Sequence, residues 1–126
     1  MVVGLYAAIF GISLSILYLK VVQQRRTHKV SLGDGGNDDL MKARSVHSNF
    51  VETIPFLLIL MTLLEMNGYQ DWVIHAFGLL AILGRKFHII GIYRLSSVLP
   101  FRVMAGVLTL TLILAASGML LFKYVV

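Results

Sequence analysis

The sequence predicts an all-α integral membrane protein, a four-helix bundle in up-down-up-down order. Three observations predict it. Hydrophobic residues make up 58% of the 126 and charged residues only 13%, about half the charged share of a soluble domain. Four apolar runs are each long enough to cross a bilayer, which takes about 20 residues. The lysines and arginines are sorted to one side of those runs. At this length one domain is expected, residues 1–126.

Span one is read at residues 2–22. Met1 to Leu19 holds no charge and measures about 28 Å as a helix. A secretory signal has a positive start, a shorter apolar core and a small-residue cleavage site, so this run is read as a retained span. Gly4, Ala7, Gly11 and Ser15 form a small-residue stripe suited to close helix contact. Residues 23–38 are the longest connection. Gly33-Asp-Gly-Gly-Asn37 breaks the chain there, and Asn37 or Asp38 is placed to cap the next helix. No Gly-Lys-Ser/Thr follows these glycines, so they do not make a phosphate loop, and the acids do not fit a calcium loop.

Span two is read at 39–66, with Pro55 inside it and the Asn67-Gly68 turn after it. Span three, 70–93, starts with the interfacial aromatics Tyr69 and Trp72. The stretch Leu95-Ser-Ser-Val-Leu-Pro100 is read as the next turn. Span four, 100–124, carries no charge from Val103 to Phe122. The first connection holds six cations (Lys20, Arg25, Arg26, Lys29, Lys42, Arg44), the third holds four (Arg85, Lys86, Arg94, Arg102), and the other side holds only Lys123. This asymmetry places the first and third connections in the cytoplasm and both termini outside. The same placement explains the net charge of +5 without nucleic acid, since no aromatic-basic interleaving accompanies it.

The most informative stretch is Arg44-Ser-Val-His-Ser-Asn-Phe-Val-Glu-Thr-Ile-Pro55. It sets a carboxylate, Glu52, inside an apolar run. An ionisable group in hydrocarbon is costly and marks a functional site by default. Arg44, Ser48 and Glu52 share one helical row, and Ser45, Asn49 and Glu52 another. In the predicted topology Arg44, His47, Asn49 and Glu52 lie at the depth of Arg85, His88, Tyr93 and Arg102. Such a cluster is cationic on balance and suits a flexible anion, because guanidinium grips carboxylates by paired hydrogen bonds. Bland readings stand beside this one. Glu52 and Arg85 form a buried interhelical pair, and His88 is an interior histidine. His75 is a packing residue and His28 is solvated. Lys86, Arg94, Arg25 and Arg26 meet lipid headgroups, and Tyr6 and Tyr18 anchor at the interface. With no cysteine in the chain, any thiol chemistry needs a thiol brought by a ligand. No short metal-ligand spacing is present, and no metal is expected.

His47-Ser-Asn-Phe-Val-Glu-Thr-Ile-Pro55 resembles the second-helix motif of the MAPEG family, the membrane-associated proteins of eicosanoid and glutathione metabolism. That motif reads Arg-x-His/Gln-x-Asn-x-x-Glu. Gly33-Asp-Gly-Gly36, Leu64-Glu-Met-Asn-Gly68 and Gly84-Arg85-x-x-His88 resemble its small bacterial YecN-like branch, so the likeness covers essentially the whole chain. The resemblance implies a homotrimer in the bacterial inner membrane, with glutathione as cosubstrate between subunits near the cytoplasmic face. It implies ligand contacts at Asn49, Glu52, His47, His88 and Arg85, the last paired with Glu52. Arg44 and Tyr93 join them as neighbours of motif positions. Arg102 resembles the arginine that stabilises the thiolate. Three departures stand out. Ser45 occupies the motif arginine's place, with Arg44 one step early. Ile92 stands where a tyrosine is expected, with Tyr93 beside it. The interval from His88 to Arg102 is longer than in the mammalian enzymes.

The implied activity is a glutathione- or thiol-dependent transferase or peroxidase acting on small lipophilic electrophiles from the membrane. Two other classes are kept: a non-catalytic sensor or scaffold binding an anionic or thiol ligand, and a proton-coupled transporter relaying through Glu52 and His88. The orientation is directly testable because the chain lacks cysteine. Gln70→Cys should react with a membrane-impermeant maleimide in intact spheroplasts, and Ser31→Cys only after lysis; the reverse pattern would invert the topology.

Overall fold

The computed structural model describes residues 1–94 and 99–126. Four helices account for most of it: α1 (Val3–His28), α2 (Asp38–Met66), α3 (Asp71–Tyr93) and α4 (Leu99–Val125). Each contains a stretch long and apolar enough to cross a membrane, and no strand occurs among the described residues. The turn read at 95–100 falls largely on residues 95–98, outside the described residues.

Helix α1 runs past its expected end, through Gln23-Gln-Arg-Arg-Thr-His28. It stops at Lys29, which takes the left-handed conformation at φ 54°. The connection to α2 is an ordered cap. The Arg25 guanidinium donates to the carbonyl oxygens of Ser31 at 3.3 Å and Gly33 at 3.0 Å. His28 donates from Nε2 to Gln24 and accepts at Nδ1 from the Asn37 amide, both at 3.1 Å. The expectation of a solvated His28 is therefore corrected. Orphan carbonyls at a helix end draw in nearby donors. Asn37 caps α2 as expected, its side chain accepting from the Leu40 N–H at 3.0 Å.

Helix α2 lies at the centre. It packs on all three other helices, whereas α1 touches α3 only sparsely and, among the described residues, does not meet α4. Its core stripe is Phe50, Ile54, Leu57, Met61 and Leu64, spaced by three or four. Against it lie Ile74, Phe77 and Ala81 of α3 and Leu112, Ala116 and Leu120 of α4. The ends are tied by polar contacts. The Glu65 carboxylate accepts from the backbone N–H groups of Val2 and Val3, satisfying donors at the start of α1. Tyr69 donates to the Met119 carbonyl at 2.9 Å, and Asn67 donates to the Tyr124 hydroxyl at 3.2 Å.

The small-residue stripe of α1 does not serve as its packing face within the chain. Gly4, Ala7, Gly11 and Ser15 are exposed, and Val3, Tyr6 and Phe10 make the contact. Tyr6, expected at the interface, is only 2% exposed. Its hydroxyl bonds His75 Nδ1 at 2.8 Å, so a buried ring keeps its polar tip satisfied. The ring lies against Gly78, where an added Cβ would fall inside it. Gly78→Ala should therefore destabilise by about 1–3 kcal/mol, the usual cost of overpacking, read as a lower unfolding midpoint in detergent. Gly11→Ala, with open space around it, should leave the midpoint in place.

Candidate functional site

Arg85 is the centre of the polar interior. Helix α3 carries it inward between α2 and α4, where it is 7% exposed. Its Nη1 donates to Asn49 Oδ1 and to Thr53 Oγ1, the latter at 3.2 Å. Its Nη2 donates to Thr109 Oγ1. Asn49 and Thr53 stand one turn apart on α2 and so face α3 together. The two threonines are themselves oriented by their own helices. Thr53 donates to the Asn49 carbonyl at 2.7 Å, and Thr109 to the Ala105 carbonyl at 2.9 Å.

Every partner of this cation is neutral. The ion pair found among the described residues is at the far end of the bundle, between the amino terminus and Glu65. Guanidinium offers five N–H donors, and Arg85 Nε is buried without an acceptor among the described residues. Burying an uncompensated charge is expensive.

Two further buried polar atoms on α3 lack a partner among the described residues, His88 Nε2 and the Tyr93 hydroxyl. His88 lies near Arg85, Arg102 and the Ser45 backbone. Tyr93 carries the Lys20 ammonium over its ring, 4.0 Å from the centroid. Beside this seam a cavity of about 360 Å³ opens between α2, α3 and α4, lined by Asp38, Lys42, Ser45, Gly91, Ile92 and Arg102. Gly91 lets Arg102 sit close: a Cβ there would meet Arg102 Cγ at 2.9 Å and its backbone nitrogen at 3.2 Å.

The residues singled out in the sequence are thus divided. Asn49 and Arg85 are in contact, His88 lies near both Arg85 and Arg102, and Arg102 lines the cavity. Tyr93 is further along the same helix. His47 is turned the other way, towards α1, where it lies against Tyr18 at 6.2 Å between ring centroids. Arg44 is half-buried and Glu52 exposed. The expected Glu52–Arg85 pair does not form within the chain. Glu52 is one residue before Thr53, about 100° around the helix, so Asn49 and Thr53 take the guanidinium instead.

Several residues of this arrangement escaped the sequence reading. Thr53 had a signal, since it stands one turn beyond Asn49. Thr109 had one too, as a hydroxyl in an uncharged span. Asp38, Lys42 and Gly91 had none, because their nearness to Arg102 depends on how three helices pack. Glu65 was a second acid in the apolar part of span two.

Thr109 and Thr111 provide a matched test. Both bond the carbonyl four residues back, but only Thr109 also receives Arg85. Thr109→Val should cost about 1.5–3 kcal/mol, the scale of a hydrogen bond to a charged group, and Thr111→Val close to nothing. Equal unfolding midpoints for the two variants would show that Arg85 does not rely on this contact.

Comparison with known proteins agrees with the helical arrangement. The model of the MAPEG family matches residues 3–122. The chain is 38% identical over 93 residues to the inner membrane protein YecN of Escherichia coli, covering 74% of this chain and 71% of that protein. The YecN sequence of a second Escherichia coli strain matches equally well. No solved structure matches the chain.

Proposed function

Since the chain belongs to the MAPEG family, we propose that it is a glutathione- or thiol-dependent membrane transferase or peroxidase acting on small lipophilic electrophiles. The observation that carries this reading is Arg85, a buried cation with only neutral partners and its Nε–H unpaired among the described residues. The proposed assembly is a homotrimer of up-down-up-down bundles in the inner membrane, with both termini on the non-cytoplasmic side.

The outer face of α2 supports a site between copies. Ser45, Ser48 and Glu52 are exposed along a membrane-spanning helix, with Arg44 half-buried at their edge. Facing lipid, that row would be costly. Facing a neighbouring subunit, it meets a polar ligand. In this reading Glu52 receives the ammonium of glutathione, and Arg85 with Asn49 takes a carboxylate across the subunit boundary. Arg44, His47, His88 and Tyr93 contribute further contacts along the polar seam.

Arg102 is the proposed catalytic residue. It borders an open cavity, and a guanidinium beside a thiol favours the thiolate. The thiol proton leaves to water. The thiolate then attacks the electrophilic carbon, forming the C–S bond as the leaving group departs with the electron pair of its own bond. With a peroxide, the thiolate instead takes the terminal OH as the O–O bond breaks, and the departing alkoxide takes a proton from water to become the alcohol; a second thiol then reduces the sulfenic acid to a disulfide with loss of water. The protein contributes position and charge, while the nucleophile belongs to the cosubstrate.

One observation favours a second reading, a non-catalytic sensor or scaffold for an anionic or thiol ligand. Ser45 and Ile92, which depart from the family pattern, both line the cavity beside Arg102. Conjugation of glutathione to an aryl halide separates the two. Wild-type protein should exceed the solution background. Arg102→Ala should lower kcat roughly a hundredfold, the scale for losing a transition-state donor, and Glu52→Gln should raise KM for glutathione. Wild-type rates at background together with measurable glutathione binding would select the sensor.

A further inference from the structure

A groove runs between α1 and α3 on the side of Arg85 away from the α2–α3–α4 cavity. Its volume is about 250 Å³. Phe10 and Leu17 of α1 and Ile82 and Ile89 of α3 line it, with Phe50 of α2 behind them. The groove exists because α1 touches α3 only sparsely. The contact between Tyr6 and Gly78 aligns the two helices. Seven residues further along each helix, Ser13 and Arg85 come to the same level, and both border the groove.

The charge around this groove has one sign. Lys86 is exposed at its rim. At its end the Lys20 ammonium crosses from α1 to sit over Tyr93 of α3. Arg85 adds a buried positive charge behind the wall. Helix α1 contains no acid, and the acid of α3, Asp71, lies at the opposite end of that helix. Long lysine side chains lay their stems on apolar surface and send the ammonium to the headgroup plane. Basic pockets between membrane helices take anionic headgroups for this reason.

We propose that the groove between α1 and α3 holds one acyl chain of an anionic phospholipid, whose phosphate rests on Lys20 and Lys86. The second chain stays in the bilayer. The phosphate keeps to the headgroup plane, where the two ammonium groups reach. A zwitterionic lipid fills the groove equally well but leaves the two lysines without a net counter-charge. Bound in this way, the lipid wedges α1 against the rest of the bundle.

Native mass spectrometry of the protein in neutral detergent tests this, with equimolar phosphatidylglycerol and phosphatidylcholine of the same chain length. Wild-type protein should retain phosphatidylglycerol in preference by about thirtyfold, the scale set by two lysines at a charged membrane surface. The double variant Lys20→Ala, Lys86→Ala should bind the two lipids nearly equally. Ser13→Trp should fill the groove and abolish the adduct while helix content is unchanged. If that variant does not fold, Ile16→Trp from the exposed lip makes the same test. Equal retention of both lipids by the wild type would overturn the proposal, as would a phosphatidylglycerol preference that survives groove filling. Displacement of the phospholipid by equimolar oleate would assign the groove to a fatty carboxylate instead. Absence of any lipid adduct on the wild type, as expected if a second copy of the chain covers the groove, would also overturn it.

Discussion

A guanidinium held in the bundle interior by an amide and two hydroxyls is the constraint on which the rest depends. Arg85 draws Asn49 and Thr53 from α2 and Thr109 from α4. Three helices are thereby set in rotation and depth relative to one another. Apolar packing alone specifies this weakly in a membrane, where lipid competes with side chains on nearly equal terms. A buried donor that loses its acceptor has no water to turn to, so the contact selects one register.

The same constraint orders the candidate site. Committing Asn49 and Thr53 to Arg85 turns Glu52 out of the chain, because neighbouring helix positions diverge by about 100°. The acid is left exposed, the cation is left without a counter-charge, and the cavity beside Arg102 stays open. Neither half of the expected ion pair meets an opposite charge among the described residues.

The two sides of α3 carry different demands. Towards α2 and α4 it is apolar at Ile74, Phe77 and Ala81 and polar at Arg85. Towards α1 it is apolar, with Lys86 and the Lys20–Tyr93 contact at one end and the Tyr6–His75 bond at the other. Helix α1 is attached mainly through α2 and through its first turns. Its apolar residues beyond Phe10 are left largely to lipid, which costs little in a bilayer and would be untenable in water.

Much of this was legible in the residues themselves. Four apolar runs in a chain with few charges fix the number and type of elements, because backbone polar groups must be satisfied within each span. Asn37 as the cap of α2 and Asn67-Gly68 as its end followed from local chemistry. Asn49, Glu52, Arg85, His88 and Arg102 stand out in the sequence through the cost of polar groups in or beside apolar runs. What the residues could not settle was which of them meet. His47 turned to α1, Glu52 turned outward, and Tyr6 buried itself on Gly78, all against expectation. Sequence spacing specifies angles within one helix, whereas the pairing of groups on different helices depends on their relative rotation and depth. Those follow only when Arg85, its three acceptors and the glycines that admit Tyr6 and Arg102 are satisfied together in three dimensions.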